Sequence, residues 1–95
     1  MKYISFAIPC YNSEAYMEKA IQSILPGGED VEIIVVNDGS SDGTSEVAKK
    51  YEEKYPGIVK AVDKENGGHG DAVNTGLAHA TGVYFKVLDS DDWVA

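Results

Sequence analysis

Tyr84-Phe85-Lys86-Val87-Leu88-Asp89-Ser90-Asp91-Asp92-Trp93 decides how this chain reads. An apolar run with aromatic and β-branched residues breaks off into three carboxylates within four residues. Such a run is a strand, and one that ends this way delivers anionic oxygens to the carboxyl edge of a sheet. In open α/β sheets that edge is where ligands bind. Carboxylates so close repel one another, so they imply water, a partner or a cation. Hard cations such as Mg²⁺ and Mn²⁺ choose oxygen ligands of this kind. The alternative is a solvated turn capping a helix, because Asp and Ser are ordinary loop and cap residues. The rest of the sequence separates the two.

Upstream, strand and helix patterns alternate with short connections. Tyr3 to Ile8 is an apolar run expected to end at Pro9, which has no N–H to donate. Asn12-Ser13 offer cap side chains to a helix carrying Met17, Ala20, Ile21, Ile24 and Leu25 on one stripe, and Pro26-Gly27-Gly28 stops it. Val31 to Val36 is a second strand, apolar enough to be covered on both faces. The loop Asn37 to Gly43 leads into a helix with Val47, Ala48, Tyr51 and Tyr55 on one side. Ile58 to Val62 makes a weaker third strand, and a Gly-rich loop, Asn66 to Gly70, precedes a third helix with Val73, Leu77 and Ala80 inward. Val83 to Leu88 is the fourth strand. This order predicts an α/β fold, a Rossmann-like three-layer α/β/α arrangement with a mainly parallel sheet. With the sequence stopping at Trp93-Val94-Ala95, immediately after its carboxylate cluster, residues 1–95 are expected to be one truncated nucleotide-binding half of a longer domain.

Composition sets the outer limits. A 95-residue chain, 43% hydrophobic and 25% charged, has the make-up of one small globular domain. No apolar run approaches the ~20 residues of a membrane span. A single cysteine, Cys10, excludes an internal disulfide framework and fits a reducing compartment, the cytoplasm. Cys10 reads as a small buried hydrophobe at a strand end rather than a nucleophile. A net charge of −8 argues against nucleic acid as a partner, although a metal and helix N-termini can still supply a positive field to a phosphate ligand.

The strand-end loops carry the chemistry. Pro9-Cys10-Tyr11-Asn12 sets an aromatic ring and an amide above the sheet edge. The ring either stacks on a planar base or packs against the next helix. Asp38, at the end of the second strand, stands where a carboxylate accepts a hydrogen bond from a nucleobase or ribose. Ser41, Asp42 and Thr44 read as turn and cap residues. In Asn66-Gly67-Gly68-His69-Gly70 the glycines, Gly68 among them, permit positive φ and close backbone approach to a ligand. His69 reads as an exposed loop residue.

Together these segments resemble family 2 glycosyltransferases of the GT-A fold. The resemblance rests on Ile8 to Asn12, Val35 to Thr44, Asn66 through Gly76, and Leu88 to Trp93, in that order, and covers Tyr3 to Trp93. It implies a mostly inverting transfer of a sugar from a nucleotide-diphosphate donor, usually a UDP-sugar, to an acceptor hydroxyl. Asp38 then pairs with the base, while Pro9, Tyr11 and Asn12 flank base and ribose. Asp89-Ser90-Asp91 matches an Asp-x-Asp motif: Asp89 faces the ribose or metal, and Asp91 binds Mn²⁺ or Mg²⁺. Asp92 is an adjacent participant. Val73 stands where many members carry Arg or Lys, so one diphosphate contact is missing. The family's catalytic base and acceptor site lie beyond residue 95. The resemblance further implies cell-surface polysaccharide synthesis, with a glycan, lipid-linked or protein acceptor, on a protein at the inner face of the membrane. The exposed edge of the fourth strand predicts a dimer. A nucleotidyltransferase and a non-catalytic nucleotide- or carbohydrate-binding module remain as alternatives.

Overall fold

The computed structural model describes residues 2–90, the His69 side chain excepted. Four parallel strands form its sheet: β1 (Ile4–Cys10), β2 (Val31–Asp38), β3 (Val59–Lys64) and β4 (Tyr84–Val87), in the order β3-β2-β1-β4. Three α-helices, α1 (Met17–Ile24), α2 (Thr44–Lys54) and α3 (His69–His79), make the crossovers. A short 3₁₀ segment, Leu25–Asp30, follows α1. The parallel α/β architecture expected from the alternating patterns is thus present.

β2 is the spine, buried over all eight residues. Its side chains alternate between two cores. Ile33 and Val35 face Met17, Ala20, Ile21 and Ile24 of α1 with Ala48 and Tyr51 of α2. Ile34 and Val36 face Ala72 of α3. Fully burying one such aliphatic side chain stabilises by about 1.5–3 kcal/mol. Helices on both faces are what a strand without an apolar–polar alternation requires.

Two boundaries differ from expectation. β1 continues through Pro9 to Cys10, with Pro9 opposite Val36. The ladder between β1 and β4 reaches only Ala7↔Val87, so beyond it β1 has an open side, where a residue without an N–H is tolerated. α1 begins at Met17, four residues after Ser13. Ser13 nevertheless shapes that start, because its carbonyl accepts the Tyr16 and Met17 N–H groups.

The inward face of α3 also differs. Leu77 is 54% exposed, while Ala72 and Gly76, four residues apart, are buried. Small residues at this spacing let the helix lie close on the sheet. A Cβ built at Gly76 would stand 2.6 Å from Ala7 Cβ, so α3 rests on β1 where neither residue has anything larger to offer. Gly76→Ala should therefore destabilise by about 1–2 kcal/mol, the overpacking cost less the better helix propensity of Ala. Urea unfolding measures it, and an unchanged midpoint would show that the helix lifts freely.

Candidate nucleotide site at the carboxyl ends of the strands

The register between β2 and β3 sets Lys64 directly opposite Asp38, at the last residue of each strand. Lys64 Nζ lies 2.8 Å from Asp38 Oδ1. The chain then turns back, and the Gly67 N–H donates to the same oxygen at 2.9 Å, the Gly68 N–H to Oδ2 at 3.0 Å. Gly68 has φ +94°, which an L side chain rarely adopts, so a glycine is needed for this second amide to reach Asp38. Asn66 Nδ2 reinforces the turn by donating to the Asp38 carbonyl at 3.0 Å. Asp38 is 4% exposed. Burial works to raise its pKa, but the Lys64 ammonium and the two amides outweigh burial and hold the carboxyl below its usual range.

Lys64 is itself fully engaged. Besides Asp38, its ammonium meets Asp71 Oδ2, in the first turn of α3, at 2.6 Å and the Glu65 carbonyl at 2.5 Å. Those three contacts match the three N–H donors of a lysine. The hydrogen bonds from Lys64 to Asp38 and Asp71 raise its pKa, so it is charged throughout the neutral range.

A cleft of about 80 Å³ lies beside this cluster, lined by Pro9, Cys10, Tyr11, Asp38 and Ala72. It opens at the carboxyl ends of the strands, next to β1, from which the chain order runs to β2 and β3 on one side and to β4 on the other. Sheets of this kind bind ligands at such a crevice. The larger cleft, about 300 Å³ between Lys2, Glu29, Pro56, Gly57 and Ile58, lies at the opposite ends of the strands. Tyr11 is 55% exposed, so its ring is available to stack. Cys10 is buried, and burial pushes its thiol up to about 12 despite a hydrogen bond to Ser13. A thiol so held is no nucleophile near neutrality.

Neighbouring loops brace this wall. Asn12 sits at φ +49°; its N–H donates to Ser40 Oγ, and its Oδ1 accepts from the Ser41 N–H at 2.8 Å. The Asn12 carbonyl oxygen is thereby committed to the β2–α2 loop. Ser13 Oγ accepts from the Tyr11 N–H and lies 2.7 Å from Ser90 Oγ. That hydroxyl pair ties Ser90, in the segment after β4, to the loop after β1, and the preceding Asp89 is exposed. Pro9, Tyr11, Asp38 and Gly68 thus share one region, and Asp89 is the sequence neighbour of Ser90, which contacts the loop after β1. Asp91, like Asp92 and Trp93, lies outside the described residues. Among the described residues no group of three or more His, Cys, Asp or Glu side chains is placed to hold a metal ion.

The sequence reading missed Lys64, Asp71 and the bracing role of Ser13. Extending the third strand by two residues would have set Lys64 beside Asp38. It also passed over Glu32, at the opposite end of β2. Glu32 is 1% exposed and accepts four hydrogen bonds, from Ser5 Oγ (2.8 Å) and the Thr81 N–H (2.9 Å) on Oε1, and from Thr81 Oγ1 (2.9 Å) and Lys60 Nζ (2.7 Å) on Oε2. A lone charge in an apolar run was the available signal.

The sequence model described as Glycosyl transferase family 2 matches residues 5–95. The chain is 42% identical over 94 residues to the minor teichoic acid biosynthesis protein GgaB of Bacillus subtilis, covering 96% of this chain and 10% of that protein. It is 40% identical over 92 residues to glycosyltransferase GlyA of Streptococcus pneumoniae, covering 96% of this chain and 13% of that protein. Among solved structures, S. aureus TarS 1-349 in complex with UDP-GlcNAc superposes with a TM-score of 0.82 at 35% identity, over 98% of this chain and 27% of that one. Mannosyltransferase PcManGT from Pyrobaculum calidifontis, in complex with GDP-Man and Mn²⁺, gives 0.79 at 27% identity, over 95% and 28%. The parallel sheet and its helices are those of the GT-A architecture, and the chain spans between 10% and 28% of the length of these relatives.

Proposed function

Because the chain belongs to glycosyl transferase family 2, we propose that it is the donor-binding part of an enzyme moving a sugar from a UDP-sugar to an acceptor hydroxyl, with inversion. The observation that carries this reading is a difference between two buried carboxylates. A carboxylate offers about four acceptor positions. Glu32 has all four filled by the protein. Asp38 has three filled, and among the described residues no donor occupies the fourth, although Asp38 lines the cleft. That position faces the cleft and is open to a ligand, and the N–H of a uracil imide supplies a donor for it. Tyr11 offers a face to the base, and Pro9 and Asn12 shape the wall against base and ribose. Gly68, without a side chain, allows close backbone approach.

Asp89, the sequence neighbour of Ser90, contributes a hard oxygen donor, the ligand type suited to Mn²⁺ or Mg²⁺, and we assign Asp91 as its partner. A divalent ion held there would neutralise charge on the leaving nucleoside diphosphate. The general base that takes the acceptor proton is assigned outside residues 1–95, so the chain alone is expected to bind donor without turnover. Supporting this reading, TarS is known in complex with UDP and UDP-GlcNAc, and PcManGT with GDP-Man and Mn²⁺.

Calorimetric titration tests it. UDP with Mn²⁺ should bind measurably, ATP with Mn²⁺ should not, and omitting the metal should weaken UDP distinctly. Equal affinity for UDP and ATP would remove the base pocket. Equal UDP affinity with and without Mn²⁺ would remove the metal from the acidic strand end.

A further inference from the structure

We infer that Lys64 is a specificity-determining residue of the donor site: by occupying one acceptor position of Asp38, it restricts that carboxylate to a single hydrogen bond with the base. The inference rests on the donor-site reading of the cleft. On Oδ1 both positions are taken, by Lys64 Nζ at 2.8 Å and the Gly67 N–H at 2.9 Å. On Oδ2 one is taken, by the Gly68 N–H at 3.0 Å. Among the described residues, what remains is one acceptor on one oxygen, beside an oxygen already covered by an ammonium.

Base chemistry converts that arrangement into selectivity. Uracil presents one N–H flanked by two carbonyl oxygens. Its N–H suits the single acceptor on Oδ2, and the adjacent carbonyl would be repelled by a bare Oδ1, whereas an Oδ1 capped by Lys64 has that repulsion offset. Guanine presents two adjacent N–H donors and asks for both carboxylate oxygens at once. With Oδ1 filled, one guanine donor stays unmatched, and an unmatched donor is heavily penalised where water is excluded. The cap is firmly seated, because Asp71 and the Glu65 carbonyl hold the other two ammonium donors. Among the described residues, the charged groups joined to Asp38 are Lys64 at the end of β3 and, through Lys64, Asp71 on α3. From β1, Pro9 and Cys10 bring no charge.

The experiment compares UDP and GDP affinities, each with Mn²⁺, for the unaltered chain and for Lys64→Met, with circular dichroism confirming that each is folded. The unaltered chain should favour UDP, and Lys64→Met should reduce that preference by about tenfold, the effect of one hydrogen bond gained by guanine and one repulsion restored against uracil. Lys64→Gln keeps a donor for Oδ1 without the charge and should retain most of the preference. It remains informative if Lys64→Met does not fold. A preference unchanged in Lys64→Met, or lost in Lys64→Gln, would overturn the inference while leaving the donor site intact. An unaltered chain that binds neither nucleotide would overturn the donor-site reading and this inference with it.

Discussion

Glu32→Ala should lower the unfolding free energy by about 3–5 kcal/mol, the range for removing one member of a buried ionic cluster. Ser5, Thr81 and Lys60 would all lose their acceptor, joining β1, β3 and the turn before β4 in a single failure. Proton linkage gives a figure of the same size. Burial works to raise the Glu32 pKa, but the hydrogen bonds from Lys60, Thr81 and Ser5 overcome it and hold the group at about 2, against 4.5 unperturbed. That difference corresponds to roughly 3 kcal/mol. The folded-state value lies below the unfolded one, so the contribution is complete above about pH 5. It is lost as pH falls from 4.5 through about 2. Urea unfolding at neutral pH should show the full gap between the two proteins, and the gap should narrow in acid. A difference below about 1 kcal/mol at neutral pH would mean that water reaches this carboxylate freely.

Asp38→Ala should act twice. Stability should fall by about 2–3 kcal/mol, less than at Glu32, because Lys64 keeps Asp71 and the Glu65 carbonyl while exposed Gly67 and Gly68 turn to water. UDP affinity should fall by roughly another 1–3 kcal/mol as the base loses its acceptor. Hydrogen exchange at the Gly67 and Gly68 amides should speed up in the same variant, since Asp38 is their acceptor. A folded variant with unchanged UDP affinity would take Asp38 out of the site.

How far the sequence disclosed all this depended on which force was at work. Periodicity exposed the strands and helices because burial of Ile33, Val35, Met17 and Ile21 is a one-dimensional pattern. It misplaced Leu77, because closeness between α3 and β1 is governed by the smallness of Gly76 and Ala7, and small residues leave no apolar signal. Asp38 stood out by its position at a strand end. Lys64 did not, because its meaning depends on register, a relation between two strands that neither contains alone. Asn12 was legible as a residue of the loop after β1, yet its backbone at positive φ and its bond to Ser41 are properties of two loops meeting.

The contact between Gly76 and Ala7 also acts at a distance. From Gly76 back to Gly68, at the head of α3, is about 12 Å of helix. α3 can therefore be viewed as a lever pivoting on β1, with the Asp38 amides at its tip. A tilt of about 5° at the pivot would swing the tip by about 1 Å, a displacement on the scale that separates productive from unproductive geometry. The close contact between Gly76 and Ala7 thus sets the angle at which α3 presents the Gly67–Gly68 turn to Asp38, and a methyl group added at Gly76 would shift that turn as well as the packing beneath it.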